Sequence, residues 1–267
     1  MTYRPLSHQS YDRSYFALLF QVEDRHFWFR ARNQVIATVV KRLTVNLPRG
    51  YRVLEIGCGT GNVLRVLERV CISGTVVGMD LFAEGLKYAQ QRTSAALVQG
   101  DIHHPPFTSE FNIIGLFDVL EHLPDDRQVL HALKGMLQEN GILLLTVPAH
   151  PELWSYFDEV SHHCRRYQPC ELKRKLVETG YDVIYITQYM TIIFPLMWIV
   201  RRLSALRRSG SRQQNGALKE LAIQELRPVP IFNEVLTWLL DVEGRWLGCG
   251  YTLPLGTSLL AVGRKRS

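Results

Sequence analysis

Glu55-Ile56-Gly57-Cys58-Gly59-Thr60-Gly61 sets glycines at G-x-G-x-G spacing directly after the apolar run Val53-Leu54. Glycines there let the backbone turn tightly and let a ligand lie against bare N–H groups at the start of a helix. Nineteen residues past Gly61, Asp80 closes the run Thr75 to Met79, just before Leu81. From that position a carboxylate can accept both hydrogen bonds of a ribose diol. A third run ends in Gln99-Gly100-Asp101-Ile102, where Asp101 could accept from an adenine amino group while Ile102 packs on the ring. A fourth ends in Phe117-Asp118-Val119-Leu120-Glu121-His122. His122 is the candidate proton acceptor, with His162, His163 and Tyr167 behind it, since a histidine titrates near neutrality and can serve as a general base.

Polar groups at four successive strand ends need a frame that brings those ends together. Short β-rich runs, Val53-Leu54, Thr75 to Met79, Leu97-Val98, Phe111 to Phe117 and Ile142 to Val147, alternate with helical stripes at Val63, Leu64, Leu67, Val70 and at Val129, Leu130, Leu133, Leu137. Strict alternation of strand and helix predicts a doubly wound, mostly parallel α/β sheet, which takes its ligands at the carboxyl ends of the strands. Asn140-Gly141 reads as the turn into the fifth strand. A helix from Glu171 to Thr179 stopped by Gly180, a strand from Tyr181 to Ile186 and a last strand from Ser258 to Gly263 complete the alternation. The apolar stripe Trp28, Ala31, Val35, Val39 and Leu43 predicts a helical cap ahead of the sheet.

The expected organisation is an N-terminal helical cap over 1–48, a Rossmann-like domain over 49–187 plus 256–267, and a mainly helical insertion over 188–255. That insertion holds the uncharged stretch Val183 to Val200, then Arg201, Arg202, Arg207, Arg208 and Arg212 with no acid before Glu220, then a helix with the stripe Phe232, Val235, Leu239, Val242 and Trp246. Two readings stay open for it: a wall of the acceptor pocket, or an interfacial element whose apolar side chains enter a lipid headgroup region while arginines meet anionic lipid. A transmembrane span is disfavoured because Gln188 and Pro195 interrupt the stretch and the last strand must return to the sheet.

The 267 residues are 46% hydrophobic and 21% charged, which excludes disorder, collagen and coiled coil. Five cysteines (Cys58, Cys71, Cys164, Cys170, Cys249) form no C-x-x-C pair, so neither a disulfide framework nor a zinc ribbon is supported. His162, His163, Cys164 and Cys170 match no zinc spacing, and no metal is expected. The opening Met1 to His8 reaches no apolar run before charge intervenes. A cytoplasmic protein is therefore expected, with the inner face of the membrane as the place of any peripheral contact. The net charge of +6 permits an acidic partner without demanding one.

In this order the motifs Glu55 to Gly61, Asp80, Gly100-Asp101 and Asp118 to His122 resemble the class I S-adenosylmethionine-dependent methyltransferases, in particular the small-molecule branch that includes ubiquinone and menaquinone biosynthesis enzymes. The resemblance covers roughly residues 50 to 150. It implies that Glu55, Gly57, Cys58, Gly59 and Gly61 serve the methionine part of the cofactor, Asp80 and Leu81 the ribose, Asp101 and Ile102 the adenine, with Asp118 at the same site. It also implies an antiparallel last strand in a seven-stranded sheet and S-adenosylhomocysteine as product. Methyl transfer to a small or lipid-like acceptor is the expected reaction. Leu153-Trp154-Ser155, Asp158, His163, Arg165-Arg166-Tyr167 and His26 to Asn33 resemble a subgroup of bacterial methyltransferases without naming a substrate. A nicotinamide dehydrogenase is disfavoured because the third glycine of G-x-G-x-x-G is missing. A nucleic-acid methyltransferase is disfavoured because neither an Asn-Pro-Pro-aromatic motif nor a Pro-Cys nucleophile follows the fourth strand. A membrane-surface protein that binds the cofactor without catalysis is the reading from outside the enzymes.

Overall fold

A computed structural model of the chain describes residues 12–207, 220, 221, 223, 224 and 226–266. The opening segment Met1 to His8 and, in the basic run, Arg208 and Arg212 lie outside the described residues. The elements run α1 (Tyr15–Val22), α2 (Phe27–Thr44), β1 (Arg52–Ile56), α3 (Asn62–Val70), β2 (Thr75–Asp80), α4 (Ala83–Ala89), β3 (Ala96–Gln99), β4 (Phe111–Phe117), α5 (Asp126–Met136), β5 (Leu137–Pro148), α6 (Tyr156–Val160), α7 (Pro169–Glu178), β6 (Tyr181–Tyr189), α8 (Phe194–Arg207), α9 (Pro230–Gly248) and β7 (Ser258–Lys265).

The strands form one seven-stranded sheet in the order β3-β2-β1-β4-β5-β7-β6, with β7 antiparallel to both of its neighbours, as the resemblance implies. Every residue of β4 but Asn112 is buried, and β7 is buried from Ser258 to Gly263. Such continuous apolar runs belong to strands covered on both faces. Over one face α2, α3 and α9 supply Val35, Ile36, Val39, Leu64, Leu67, Leu236 and Leu240. Over the other, α5 and α7 supply Val129, Leu130, Leu133, Leu172 and Leu176.

Register decides where the chemistry sits. Ile56 pairs with Met79 and Leu116, and Asp80 pairs with Gln99. The parallel strands β1 to β4 thus end together, and Gly57, Asp80, Asp101 and Asp118 emerge along one edge. Strand order reverses between β1 and β4, which is where open α/β sheets leave a crevice.

Apart from shifts of two or three residues at strand ends, such as β6 running on to Tyr189 and β7 to Lys265, two elements differ from the sequence expectation. β5 begins at Leu137 rather than Ile142: Leu137 pairs with Phe111 and Ile142 with Ile113, and the extra residues are absorbed by a bulge containing Asn140 at φ +62°. The turn residues therefore sit inside the strand's span. In α9 the stripe residues Phe232, Val235, Val242 and Trp246 are exposed, while Leu236, Leu240, Gly244 and Leu247 face the molecule. The buried face is set by close packing on α2: a Cβ on Gly244 would lie 3.2 Å from Gln34 Cγ, and one on Gly248 would run into Thr38.

Candidate active site

A cavity of about 850 Å³ opens at the carboxyl ends of β1, β2 and β4. Its floor is the glycine loop. The amides of Gly57 and Cys58 both donate to Met79 O, at 2.8 and 3.2 Å, fastening the loop to β2. Gly57 and Gly59 have φ of +74° and +50°, conformations that L side chains rarely take. A Cβ on Gly57 would run into Val119, whereas one on Gly59 would find nothing nearer than 3.7 Å. Gly61 does not line the cavity: it caps the start of α3 at φ +77°, and a Cβ there would lie 3.0 Å from Ala89. It serves the packing behind the floor.

Asp80 locks this loop. Its Oδ2 accepts from the Gly59 amide at 2.7 Å and its Oδ1 from the Phe82 amide at 2.8 Å. Each oxygen keeps acceptor capacity for a further donor. Burial pushes its pKa up to about 6, against the lowering effect of those amide bonds. Leu81, Asp101, Ile102 and Cys58 share the cavity wall.

Glu55, at the end of β1, is buried with Oε2 lacking a hydrogen-bond partner among the described residues. Burial raises its pKa well above the carboxylate range; Arg32 opposes this, and Asp80 and Glu23 add to it. Asp118 takes φ +54°, its amide held by Thr146 O at 2.9 Å. The cap reaches over to it: Arg32 Nη1 lies 3.1 Å from Asp118 Oδ2, while Arg32 Nη2 donates to Asn62 Oδ1 at 3.3 Å. A second tie joins cap and loop through Glu23, which accepts from Thr60 Oγ1 and Arg92 Nη1, both at 2.5 Å. Arg32 lies within the stretch His26 to Asn33 singled out in the sequence, but its place at the cavity beside Asp118 was not read there. The available signal was its place on the buried side of α2, four residues after Trp28 and three before Val35.

Beyond Asp118, a turn of 3-10 helix (Leu120–His122) brings Glu121 and His122 to the cavity, and the loop after α6 brings His163. The imidazoles of His122 and His163 meet edge to face, 4.7 Å between centres. One ligand-capable atom from each of Glu121, His122 and His163 lies within 4.8 Å of the others, so this trio, rather than Cys164 or Cys170, has the donor set a metal ion would use. Asp158 is fully buried and orients His163: His163 Nδ1 donates to Oδ1 at 2.9 Å, Arg166 Nε donates to the same oxygen at 2.7 Å, and the Ser155 amide donates to Oδ2 at 2.8 Å. Burial opposes ionisation of Asp158, but the His163 and Arg166 bonds outweigh it and hold its pKa down at about 2. For His122, burial first and the neighbouring His163 and His162 second push the pKa down to about 3. It is a neutral imidazole at physiological pH. It does not cap α5, a role filled by Asp125, whose side chain accepts from the Gln128 amide.

Tyr167 is not brought to the cavity. It is fully buried in the core on the α5 and α7 side, its hydroxyl donating to Asp126 at 2.9 Å, and burial drives its pKa far up. The short bridge between Ala149 and Tyr167 turns the chain inward four residues after His163.

The rest of the wall is largely apolar. Ile193, Met197 and Arg201, four residues apart, come from α8 and its approach; Leu153, Phe157 and Val160 come from the segment around α6; Trp28 and Phe29 come from the cap. Arg201 is buried, its guanidinium 5.3 Å from the Tyr156 ring centre.

A family model described as a methyltransferase domain matches residues 28–186. Among curated proteins, the ubiquinone biosynthesis O-methyltransferase of Klebsiella pneumoniae is 26% identical over 113 residues, 39% of this chain and 46% of that protein. That of Psychrobacter arcticus is 24% identical over 154 residues, 49% of this chain and 59% of that protein. The matched stretch spans about half the length of these relatives. Among solved structures, a chain of the complex between the Haloferax volcanii Trm112 methyltransferase activator and a methyltransferase aligns with TM-score 0.61 at 16% identity, covering 96% of this chain and 97% of that one. The Haemonchus contortus phosphoethanolamine N-methyltransferase 2, solved with S-adenosyl-L-methionine, aligns with TM-score 0.59 at 17% identity, covering 98% of this chain and 59% of that one. At these identities the structural likenesses speak for the fold.

Proposed function

Because the chain belongs to the methyltransferase-domain family, among the class I S-adenosylmethionine-dependent methyltransferases, we propose that its cavity binds S-adenosylmethionine and catalyses methyl transfer to a small or lipid-like acceptor by in-line displacement. The observation that carries this reading is the glycine loop, bare at Gly59 and locked by Asp80, at the floor of a cavity whose other walls are largely apolar. When bound, the cofactor supplies a sulfonium-activated methyl group, so the protein's work is alignment and exclusion of water.

Gly57, Cys58 and Gly59 receive the methionine part against backbone, with Gly61 holding the loop's shape from behind. Asp80 accepts from the ribose hydroxyls with the lone pairs its two amide bonds leave, beside Leu81, and Asp101 and Ile102 take the adenine. Glu55 and Asp118 supply the carboxylates near the amino-acid end, with Arg32 fixing Asp118. His163, oriented through Nδ1 by an ionised Asp158, accepts the acceptor's proton at Nε2. His122 packs against that ring as a neutral neighbour and fixes its tilt. Tyr167 acts through Asp126 on the core, as a positioning residue for the loop that carries His163. The described part of the expected cap, 12–48, closes the site, and Ile193, Met197 and Arg201 of the expected insertion over 188–255 form its acceptor side; the same insertion is the place of any peripheral contact with the inner face of a membrane.

Isothermal titration with S-adenosylmethionine and S-adenosylhomocysteine, beside NAD and an Asp80→Ala variant, tests the reading. Micromolar binding of both sulfur compounds, lost in the variant and absent for NAD, is the expected result. Absence of binding by the intact chain would remove it. A binding protein is then screened with quinol-like and lipid-linked hydroxyl acceptors.

A further inference from the structure

Three buried hydroxyls share one face of the sheet at the edge where the cavity opens. Thr146 of β5 pairs with Leu260 of β7, and two residues back along β7, Ser258 pairs with Tyr189 at the end of β6. Paired residues, and residues two apart along a strand, point to the same face. Leu260 and Tyr189 belong to the core beneath α2 and α9, so Thr146 and Ser258 turn to that side too. Thr146 and Tyr189 are fully buried and Ser258 nearly so. Ser258 lines the cavity, as do Asp118 and Arg32, and Tyr189 stands behind it. The backbone here is fixed. A Cβ on Gly256 would run into the Tyr189 backbone, and the Ala149 amide donates to Thr257 O at 3.0 Å, which holds the entry to β7 against β5 and β6.

Buried hydroxyls normally find a partner, because leaving one unbonded in an apolar surrounding is costly. Neither Tyr189 Oη nor Thr146 Oγ1 has a hydrogen-bond partner among the described residues. Burial, and after it the charge of Asp118, push the pKa of Tyr189 well up, against Arg32, Ser258 and Thr146, which lie near enough to lower it. None of these neighbours meets the phenol in hydrogen-bond geometry. Tyr189 is therefore a neutral hydroxyl with its proton available to donate. Packing does not require it: phenylalanine fills the same space, as valine does for Thr146. The charges nearby favour an uncharged ligand group. Arg32 is already engaged by Asp118 at 3.1 Å, and hydroxyls both donate and accept, so the match is a neutral oxygen rather than a carboxylate, phosphate or ammonium.

We propose that Ser258, backed by Tyr189 and Thr146, forms a subsite for an uncharged oxygen, hydroxyl or carbonyl, of the methyl acceptor. Ser258 meets that oxygen from the cavity wall. Tyr189 acts through Ser258 as a positioning residue, donating to the serine oxygen while the serine proton turns to the ligand, and Thr146 supports the pair from β5. The hydroxyl cluster as a ligand subsite stands on register and burial. Giving the oxygen to a methyl acceptor rests on the methyl-transfer reading.

Equilibrium dialysis of the full chain with a matched pair of probes, 2-naphthol and naphthalene, tests the subsite, with and without S-adenosylhomocysteine and with titration of that compound in parallel. The intact chain is expected to bind 2-naphthol at least about tenfold more tightly than naphthalene. Ser258→Ala and Tyr189→Phe should each weaken 2-naphthol about fivefold or more and leave naphthalene within about twofold, a split that a general loss of packing would not produce. The melting temperature of Tyr189→Phe in the free protein should stay within about 2 °C or rise, since an unbonded hydroxyl is all that is removed. Equal binding of the two probes by the intact chain would overturn the proposal, as would a 2-naphthol preference that survives both substitutions. A clear drop in melting temperature for Tyr189→Phe would also overturn it, assigning the hydroxyl to a bond within the fold. S-adenosylhomocysteine binding without a probe preference would refute the subsite alone. A preference lost in the variants, in a chain that binds no S-adenosylhomocysteine, would refute methyl transfer alone.

Discussion

The guanidinium of Arg32 lies 3.1 Å from Oδ2 of Asp118, joining the cap helix α2 to the end of strand β4 across 86 residues of sequence. Both side chains are largely buried, so removing one partner leaves the other charge poorly solvated, a loss that reaches about 3 kcal/mol. Arg32→Met is therefore expected to lower the melting temperature by about 6–12 °C, while Arg32→Lys loses less. A melting temperature within about 2 °C of the intact protein would show that the pair contributes nothing net.

The glycine loop separates packing from ligand contact. Gly57→Ala drives a Cβ into Val119 and is expected to destabilise the fold markedly. Gly59→Ala has room, and pays only for a left-handed φ, about 1–2 kcal/mol. Since the Gly59 surface is where the cofactor's methionine part would lie, Gly59→Ala should weaken S-adenosylmethionine binding more than about tenfold while the protein stays folded. Unchanged affinity in titration calorimetry would move the ligand away from the loop.

Asp80 must be ionised to accept from two hydroxyls while holding two amides. With its pKa raised to about 6 by burial, cofactor affinity is expected to be constant above pH 7 and to fall as pH drops through about 6. Asp80→Asn, measured at pH 8, should reproduce the low-pH affinity. A pH-independent dissociation constant between pH 5 and 8 would contradict this.

His122 is buried neutral. The unfolded chain takes up its proton near pH 6.5, whereas the folded chain resists until about pH 3, so stability is lost as pH falls through that interval. Asp80, with a raised pKa, changes stability in the opposite sense, gaining as pH falls towards its unfolded value. The comparison with His122→Gln isolates the histidine: between pH 7 and 5 the intact protein should lose about 2 kcal/mol more than the variant in urea unfolding. Parallel stability curves would sink the assignment of His122 as a buried neutral group.

For a hydroxyl acceptor, His163→Asn should reduce kcat by about 10² to 10⁴, the usual range of a general base, with S-adenosylmethionine affinity within about twofold. Asp158→Asn should lower kcat as well and shift its pH profile, because Asp158 fixes which ring nitrogen faces the cavity. Full activity in both would leave methyl transfer to proximity alone.

The alternation of strand and helix and the site motifs were legible because each is local: a glycine loop, an aspartate one strand later, apolar periods of two and 3.6 residues; the antiparallel direction of the last strand came only from the family resemblance, since pairing direction is not a local property. Adjacency at the strand ends followed from parallel pairing, which sets Gly57, Asp80, Asp101 and Asp118 on one edge. What only the tertiary structure decided were contacts between distant segments. Arg32 reaches Asp118, Asp158 orients His163, and Tyr167, although four residues from His163, turns into the core towards Asp126. The outward stripe of α9 belongs with these. Periodicity marks an apolar face, but which of two apolar faces is buried depends on close approach to α2 at Gly244 and Gly248, and that is a property of the packed molecule.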